Sequence, residues 1–581
     1  MTRTLGVCMG LLLVGAWAMA PAATAQQRSQ FVHDAEYYII EAQNSQQWAV
    51  EDDALDARLA ELRQQYGTPP NIIHLMFDDQ PVMSFGDPIY QKIRGYETPN
   101  MNTLAQEGML FARMYSEPGC TPTRSAVTTG QHPVRNGVYE IGFPIEYRGM
   151  AAKNVTLAEV MSEAGYATAF YGKLHLGDVE QSYPHNQGYD EALWAVYNQV
   201  FSLWIPQGEA ANAVIGLHEE LLADNPYKLD NSFVQKGYVG YLEGEKGEQA
   251  REWCGTAREC YDRFDLEAQE RALAFIRRNA EAERPFFVSW WPQWVSFIPQ
   301  PMKTSLQRGI AGDGYETFLD PAVGALLQML RDLGIAENTL VVLMADNGPM
   351  VHDPPPGLGM GEGIFRGGKG DFLEGGVRVS AAAWWPGTIE PGQVPGDMIH
   401  VTDLYTTFAR LAGATQHIPT DRVIDGIDQT SLLLNGDSYG RRDYVFIYAG
   451  PELAATVKDH YKKHWFADPL QAASGIAAAY YDLYNDPREE VPLLVNMLHF
   501  KESFNRMRAR HELWIQKYPH FEEVRGPAYT GISNARPETV ALSNPPAWLR
   551  NLPFDPLQFI EHLDELPFDP TGEPDIGGGR E

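Results

Sequence analysis

The stretch PAVGALLQMLRDLGIAENTLVVLMADNG, Pro321 to Gly348, decides the fold. Ala322, Val323, Leu326, Leu327 and Leu330 recur at the three-and-four spacing of one helix face. Gly334 stops that pattern, and Leu340–Ala345 follows as an unbroken apolar run, the mark of a strand covered on both faces. The run ends on Asp346 and Asn347. Helix, then glycine or a short loop, then apolar strand recurs in TPNMNTLAQEGMLFARMYS (98–116), TLAEVMSEAGYATAFYGKLHLG (156–177) and RALAFIRRNAEAERPFFVSWW (271–291). NIIHLMFDD (71–79) supplies another buried strand, ending on Asp78 and Asp79. Such alternation predicts an α/β fold, with a large, mostly parallel sheet sandwiched by helices. In sheets of this kind chemistry gathers beyond the carboxyl ends of the strands. Those ends carry Asp78–Asp79, Lys173 with His175, and Asp346–Asn347.

Outward from this core the pattern changes. Residues 26–70 are polar, with a helical pattern in EDDALDARLAELRQQYG, and read as a surface arm. The large α/β domain is expected over 71–438. From about 440, DYVFIY and GIAAAYYDLYNDP suggest a smaller α+β domain over 439–525 with an antiparallel sheet. Residues 526–581 are rich in proline and repeat LPFDP at 552–556 and 566–570, which reads as a surface tail. The first residues, MTRTLGVCMGLLLVGAWAMAPAATA, combine Arg3, an apolar run and a small-residue site before Gln26. This is the form of a cleavable signal peptide over 1–25, and it predicts a periplasmic or secreted protein. No later segment is apolar enough to insert in a membrane.

The 581-residue chain holds 45 Lys+Arg against 76 Asp+Glu, a net charge of -31. That field repels nucleic acid and anionic membranes, so neither is expected as a partner. An anionic substrate must be drawn in by a local positive site. Beyond the signal lie three cysteines, Cys120, Cys254 and Cys260. Cys254 and Cys260 flank GTARE, where a small-loop disulfide and two free thiols are the alternatives, and an oxidising compartment favours the first. Cys120 is then left over.

Cys120 lies in EPGCTPTRSAVTTGQHP (117–133), before a proline tolerated in a first helical turn, with a helix extending to Gly130. A buried structural cysteine is one reading. A thiolate nucleophile of the phosphatase-loop kind needs an arginine six positions on, where Ala126 stands. The third reading is a resemblance. CTPTR matches the C-x-P-x-R signature of sulfatases, and CTPTRSAVTTGQHPVRNGV resembles that family beyond those five positions. NIIHLMFDD, YGKLHLG, LVVLMADNG, FRGGKGDFLEGGVRV, VIDGIDQTSLLL and YYDLYNDPREEVPLL resemble further sulfatase segments in family order, from about 70 to about 495.

The resemblance implies an alkaline-phosphatase-like fold and a sulfate monoester, aryl or carbohydrate, as substrate. It implies that a maturation enzyme converts Cys120 to formylglycine. The hydrated aldehyde is then the nucleophile and the metal-facing group at position 120. Arg124 holds the diol, Lys173 the sulfate, and Asp346 takes the attacking hydroxyl's proton. Lys369 aids the leaving alcohol, and His175 takes the proton whose loss expels sulfate. The residue chemistry agrees independently. Asp78, Asp79, Asp346 and Asn347 offer only oxygen ligands, which suits Ca2+ first and Mg2+ second. A zinc pair would favour histidine.

The pattern breaks once. Sulfatases usually carry a second histidine after the FF strand, to protonate the leaving oxygen. Here the segment reads RPFFVSWWPQWVSFIPQPMK, and Ser296 falls at that place, with Gln293 and Trp294 nearby. Serine is no acid near neutral pH. The alternatives are a leaving group that needs little help, Lys369, His352 reaching in, or a weakened enzyme. Trp290, Trp291 and Trp294 either line a ring-binding pocket or pack beneath the site. Two other functions share this frame: a phosphonate or phosphodiester hydrolase, and a weakly active sulfoglycan-binding homologue.

Overall fold

The structure is a computed structural model, and it describes residues 31–94, 96–197, 239–255, 258–293, 318–349, 364–466, 479–493 and 497–543. The signal segment 1–25, Trp294, Ser296, His352 and the tail from 544 lie outside the described residues.

The main sheet has nine strands: β1 (Asn71–Phe77), β2 (Met109–Leu110), β3 (Ala167–Lys173), β4 (Glu191–Ala195), β5 (Tyr241–Glu245), β6 (Arg251–Cys254), β7 (Phe286–Trp291), β8 (Thr339–Ala345) and β9 (Ala381–Trp384). Their order is β2-β9-β8-β1-β7-β3-β4-β5-β6. The five central strands, β8-β1-β7-β3-β4, are parallel, and only β5 and β9 run against the rest. The predicted parallel sheet is therefore present, with antiparallel strands added on both flanks.

Every residue of β1, β3, β7 and β8 is buried. Alternate side chains enter two different cores. Ile72 and Met76 face one cluster, while Ile73, Leu75 and Phe77 face the other. A strand covered on both sides is near-continuously apolar, and the few polar members, such as His74 and Ser289, are buried with the rest. The helix predicted from Pro321 onward is Asp320–Asp332, and it turns Val323, Leu326, Leu327 and Leu330 inward. The helices expected before β2, β3 and β7 occupy Pro99–Glu107, Leu157–Glu163 and Arg258–Glu281.

The second sheet is antiparallel and has four strands: β10 (Tyr444–Ala449), β11 (Glu452–Lys458), β12 (Tyr461–His464) and β13 (Tyr480–Asp482). The described part of the N-terminal arm is one long helix, α1 (Ala35–Tyr66). Its Leu59 and Leu62 enter the main core. Ile40 and Trp48 pack with Tyr444 and Phe446 on the small sheet and with Met507 of the helix Met497–Lys517. Its N-cap, Asp34, also binds Arg135 at 2.6 Å and His511 at 2.8 Å. The helix thus clamps the two sheets together. Cys254 and Cys260 are joined in a disulfide, with Cα atoms 5.7 Å apart.

Candidate active site

Strand register brings the acidic residues together. β1 and β8 pair in parallel from Asn71 opposite Thr339 to Phe77 opposite Ala345, so Asp78 and Asp346 leave the sheet side by side. Cross-bonds then lock the two ends. Asp346 N–H donates to the Phe77 carbonyl at 2.9 Å, and Gln80 N–H to the Asn347 carbonyl at 3.1 Å. Asp79 turns through a left-handed conformation, φ +53°, and its N–H donates to Asp346 Oδ1 at 3.0 Å.

A helix opens at Cys120, as expected, and runs to Thr129 behind Gly119 in extended backbone. All ten of its residues are buried, although most are polar. Burial without partners would be costly, and the partners are present. Thr123 Oγ1 bonds the backbone of Glu117, Ser125 Oγ donates to the Pro122 carbonyl, and Thr129 Oγ1 to the Ser125 carbonyl. Arg124 lies one turn beyond Cys120, on the same helix face. Its guanidinium donates to Asp346 Oδ2 from Nε at 3.1 Å and from Nη2 at 2.8 Å. It also donates to the Lys173 carbonyl from Nη1 at 2.6 Å. Nη2 lies 3.4 Å from Asp78 Oδ1.

Lys173 ends β3, and its Nζ donates to Asp78 Oδ1 at 2.6 Å. The preceding Gly172 sits at φ +127°, and a Cβ there would meet the Trp291 carbonyl at 1.8 Å, so only glycine lets β3 finish this close to β7. His175 is also left-handed, φ +58°. Its Nε2 lies 2.8 Å from the Gly142 carbonyl, an acceptor, which assigns the proton to Nε2 and leaves Nδ1 as an acceptor. Among the described residues, Nδ1 is buried with no hydrogen-bond partner. Burial and the nearby Lys173 hold the imidazole well below its usual pKa, so it is neutral. Lys369 Nζ reaches both Asp79 oxygens, at 2.8 and 2.9 Å. Burial disfavours its charge, but Asp79 and the other acidic groups raise its pKa well above the lysine range.

The facing carboxyls sit in unequal electrostatic surroundings. Burial pushes the Asp78 carboxyl up, yet Lys173, Lys369 and Arg124 together hold it well below the usual range. Burial and the facing Asp78 push Asp346 well above it, against Arg124 and Lys173. Asn347 Nδ2 donates to Asp79 Oδ1 at 2.8 Å and to the Gly348 carbonyl at 2.7 Å. Its Oδ1 is buried without a partner among the described residues. Cys120 Sγ and carboxylate oxygens of Asp78 and Asp346 lie within 4.8 Å of one another. Converging carboxylates, an orphaned amide oxygen and no imidazole fit a hard divalent ion.

Two features escaped the sequence reading. Trp290 and Trp291 are both buried, in the cores on opposite sheet faces. Trp291 lies under Arg124, with the guanidinium carbon 5.3 Å from the ring centroid. A tryptophan run in a strand carries no signal for which ring will meet a cation. The Gly142 peptide joins two motifs, because its carbonyl holds His175 while its N–H donates to Thr121 Oγ1 at 3.0 Å. Backbone partners of this kind leave no mark in side-chain identity. Gln293 is committed to Asp265 and Tyr241.

Comparison with known proteins gives the family. The Sulfatase family model matches residues 70–292 and 315–414. N-acetylgalactosamine-6-sulfatase of Homo sapiens is 31% identical over 476 residues, 76% of this chain and 84% of that protein. Arylsulfatase A of Homo sapiens is 33% identical over 472 residues, covering 76% and 85%. Among solved structures, PsFucS1 sulfatase from Pseudoalteromonas sp. superposes with a TM-score of 0.69 at 27% identity, covering 82% of this chain and 96% of that one. The chain belongs to the sulfatase family and is a sulfuric ester hydrolase.

Proposed function

We propose that this protein hydrolyses a sulfate monoester carried by a carbohydrate, using formylglycine made from Cys120 and a bound Ca2+, with Mg2+ second. The observation that carries the reading is the convergence of Cys120 with Asp78 and Asp346 inside a shell of Arg124, Lys173 and Lys369. The sugar is supported by the relatives named N-acetylgalactosamine-6-sulfatase, 31–34% identical to this chain.

Asp78, Asp79, Asp346 and Asn347 would hold the ion, together with the modified residue 120. The ion would supply Lewis-acid polarisation of the sulfate oxygens. The hydrated aldehyde would supply one hydroxyl to attack sulfur and a second whose deprotonation releases sulfate. The chain's own groups do the rest. Arg124 orients residue 120 from one helical turn away. Lys173 and Lys369 bind sulfate oxygens and counter the charge that develops on transfer. Asp346 accepts the first proton, and Lys369 assists the departing alcohol. His175 Nδ1, neutral and an acceptor, takes the proton of the second hydroxyl.

Export fits the Cys254–Cys260 disulfide, which an oxidising compartment maintains. Among the described residues, no helix is long and apolar enough to cross a membrane. The modification requires a maturation enzyme in the host. The deciding measurement is the mass of the tryptic peptide containing residue 120 from the native host. Conversion makes it about 18 Da lighter than the thiol form. A wholly unmodified thiol in fully active protein overturns the reading. Chelation gives a second check. EGTA or EDTA is expected to cut turnover at least about 10²-fold and to lower the thermal midpoint, because the clustered carboxylates then repel. Ca2+ restores both, with Mg2+ weaker.

A further inference from the structure

Lys369 sits on a loop that the small sheet holds. The loop backbone is stitched to the catalytic segments on one side. Lys369 N–H donates to the Pro349 carbonyl at 2.8 Å, and Gly370 N–H to the Pro118 carbonyl at 2.7 Å. On the other side lies a buried ionic network. Glu374, five residues after Lys369, has no exposed surface. Its Oε1 lies 3.1 Å from Lys462 Nζ, its Oε2 accepts from Tyr115 Oη at 3.0 Å, and its N–H donates to Glu489 Oε2 at 2.7 Å. Glu489 is equally buried and in turn meets Lys462 Nζ at 2.9 Å and His464 Nε2 at 2.6 Å. The Glu489 carbonyl accepts from Arg366 Nη2 at 2.5 Å, at the loop's entry. Lys462 and His464 stand two apart on β12 and so share one face of the small sheet.

The energetics make this network rigid. Burial raises the Glu489 carboxyl, yet Lys462 and His464 bring it down to about 2, so it is charged. Two buried carboxylates meet at one lysine, and removing it breaks the link between them, leaving Glu374 to Arg378 at 3.3 Å and Glu489 to His464. The loop ends, Arg366 and Glu374, are therefore fixed from the small sheet, and Lys369 lies between them.

We propose that Lys462 and Glu489 are positioning residues for Lys369. The inference rests on the leaving-group role given to Lys369 above. In this chain Ser296 falls where an acid is expected, so that role leans on one lysine and on the loop that aims it.

The test uses the mature full-length enzyme, with Lys462→Met, Glu489→Gln, Lys369→Ala and, as control, Leu453→Ala. Leu453 is buried in the same sheet, stands opposite Tyr448 and belongs to the cluster of Ile40 and Trp48. Two readouts are taken. Hydrogen exchange of the amides of Lys369 and Gly370 is expected to quicken at least about 10-fold in Lys462→Met and Glu489→Gln, but not in Leu453→Ala. Turnover of aryl sulfates is measured across phenols of rising pKa. Lys369→Ala is expected to lose about 10²-fold or more on phenyl sulfate, and less on 4-nitrophenyl sulfate. Lys462→Met and Glu489→Gln should steepen the dependence in the same sense, with KM little changed, and Lys462→Arg should restore part of it. Unchanged exchange in both network variants overturns the inference. So does an unchanged slope in them while Lys369→Ala moves it. If Lys369→Ala itself leaves the slope flat, the leaving-group reading falls. The exchange result then decides the positioning alone.

Discussion

Cys120→Ala is expected to reduce sulfate ester hydrolysis to background, a loss on the order of 10⁶-fold in kcat, as removal of a nucleophile does elsewhere. The fold should survive. The side chain at position 120 is small and wholly buried, and truncating it to a methyl group leaves a cavity worth about 1 kcal/mol. Calorimetry should therefore find the thermal midpoint within a few degrees of the parent, about the shift such a loss produces in a large domain. Cys120→Ser makes the sharper test. A serine hydroxyl can accept the sulfuryl group, but it has no second hydroxyl to expel it. The variant is expected to stall after one turnover as a sulfated enzyme, about 80 Da heavier. Steady turnover by Cys120→Ser would show that the second hydroxyl is not needed.

Arg124→Ala is expected to damage both catalysis and stability. The guanidinium is fully buried and serves Asp346 through two nitrogens, Asp78 through one and the Lys173 carbonyl through another. Breaking one side of such a buried ion cluster costs about 3–5 kcal/mol, because the stranded carboxylates stay desolvated. Denaturant titration should show that loss, with activity down at least about 10³-fold. Arg124→Lys separates the two effects. Charge is kept and most stability with it, but an ammonium cannot reproduce the planar fork over Trp291. A fall of about 10²-fold in kcat with near-parent stability is the expected result.

The strands that carry the site were legible because each is a nearly continuous apolar run, and because their polar ends stand out against it. Asp78–Asp79 and Asp346–Asn347 were found in this way. Their pairing was not, since register between β1 and β8 spans more than 260 residues and is set by contacts that no local pattern encodes. The antiparallel β5 and β9 were missed for a related reason. Strand direction depends on crossovers, and a four- or five-residue strand looks alike either way. The helix of residues 35–66 read as an arm because its apolar residues are sparse. Ile40, Trp48, Leu55, Leu59 and Leu62 are enough to bury one narrow stripe against two different surfaces. The network around Glu374 and Glu489 was invisible for the opposite cause. Isolated charges in a sequence suggest solvent, and only the fold reveals that these are enclosed.

The clamp formed by α1 has a consequence for when the protein can be finished. The ribosome makes this helix well before its partners His511 and Arg510, which belong to Met497–Lys517. Until that later segment exists, the two sheets lack the contacts that clamp them. The last step of assembly therefore waits on a segment made long after the helix it engages.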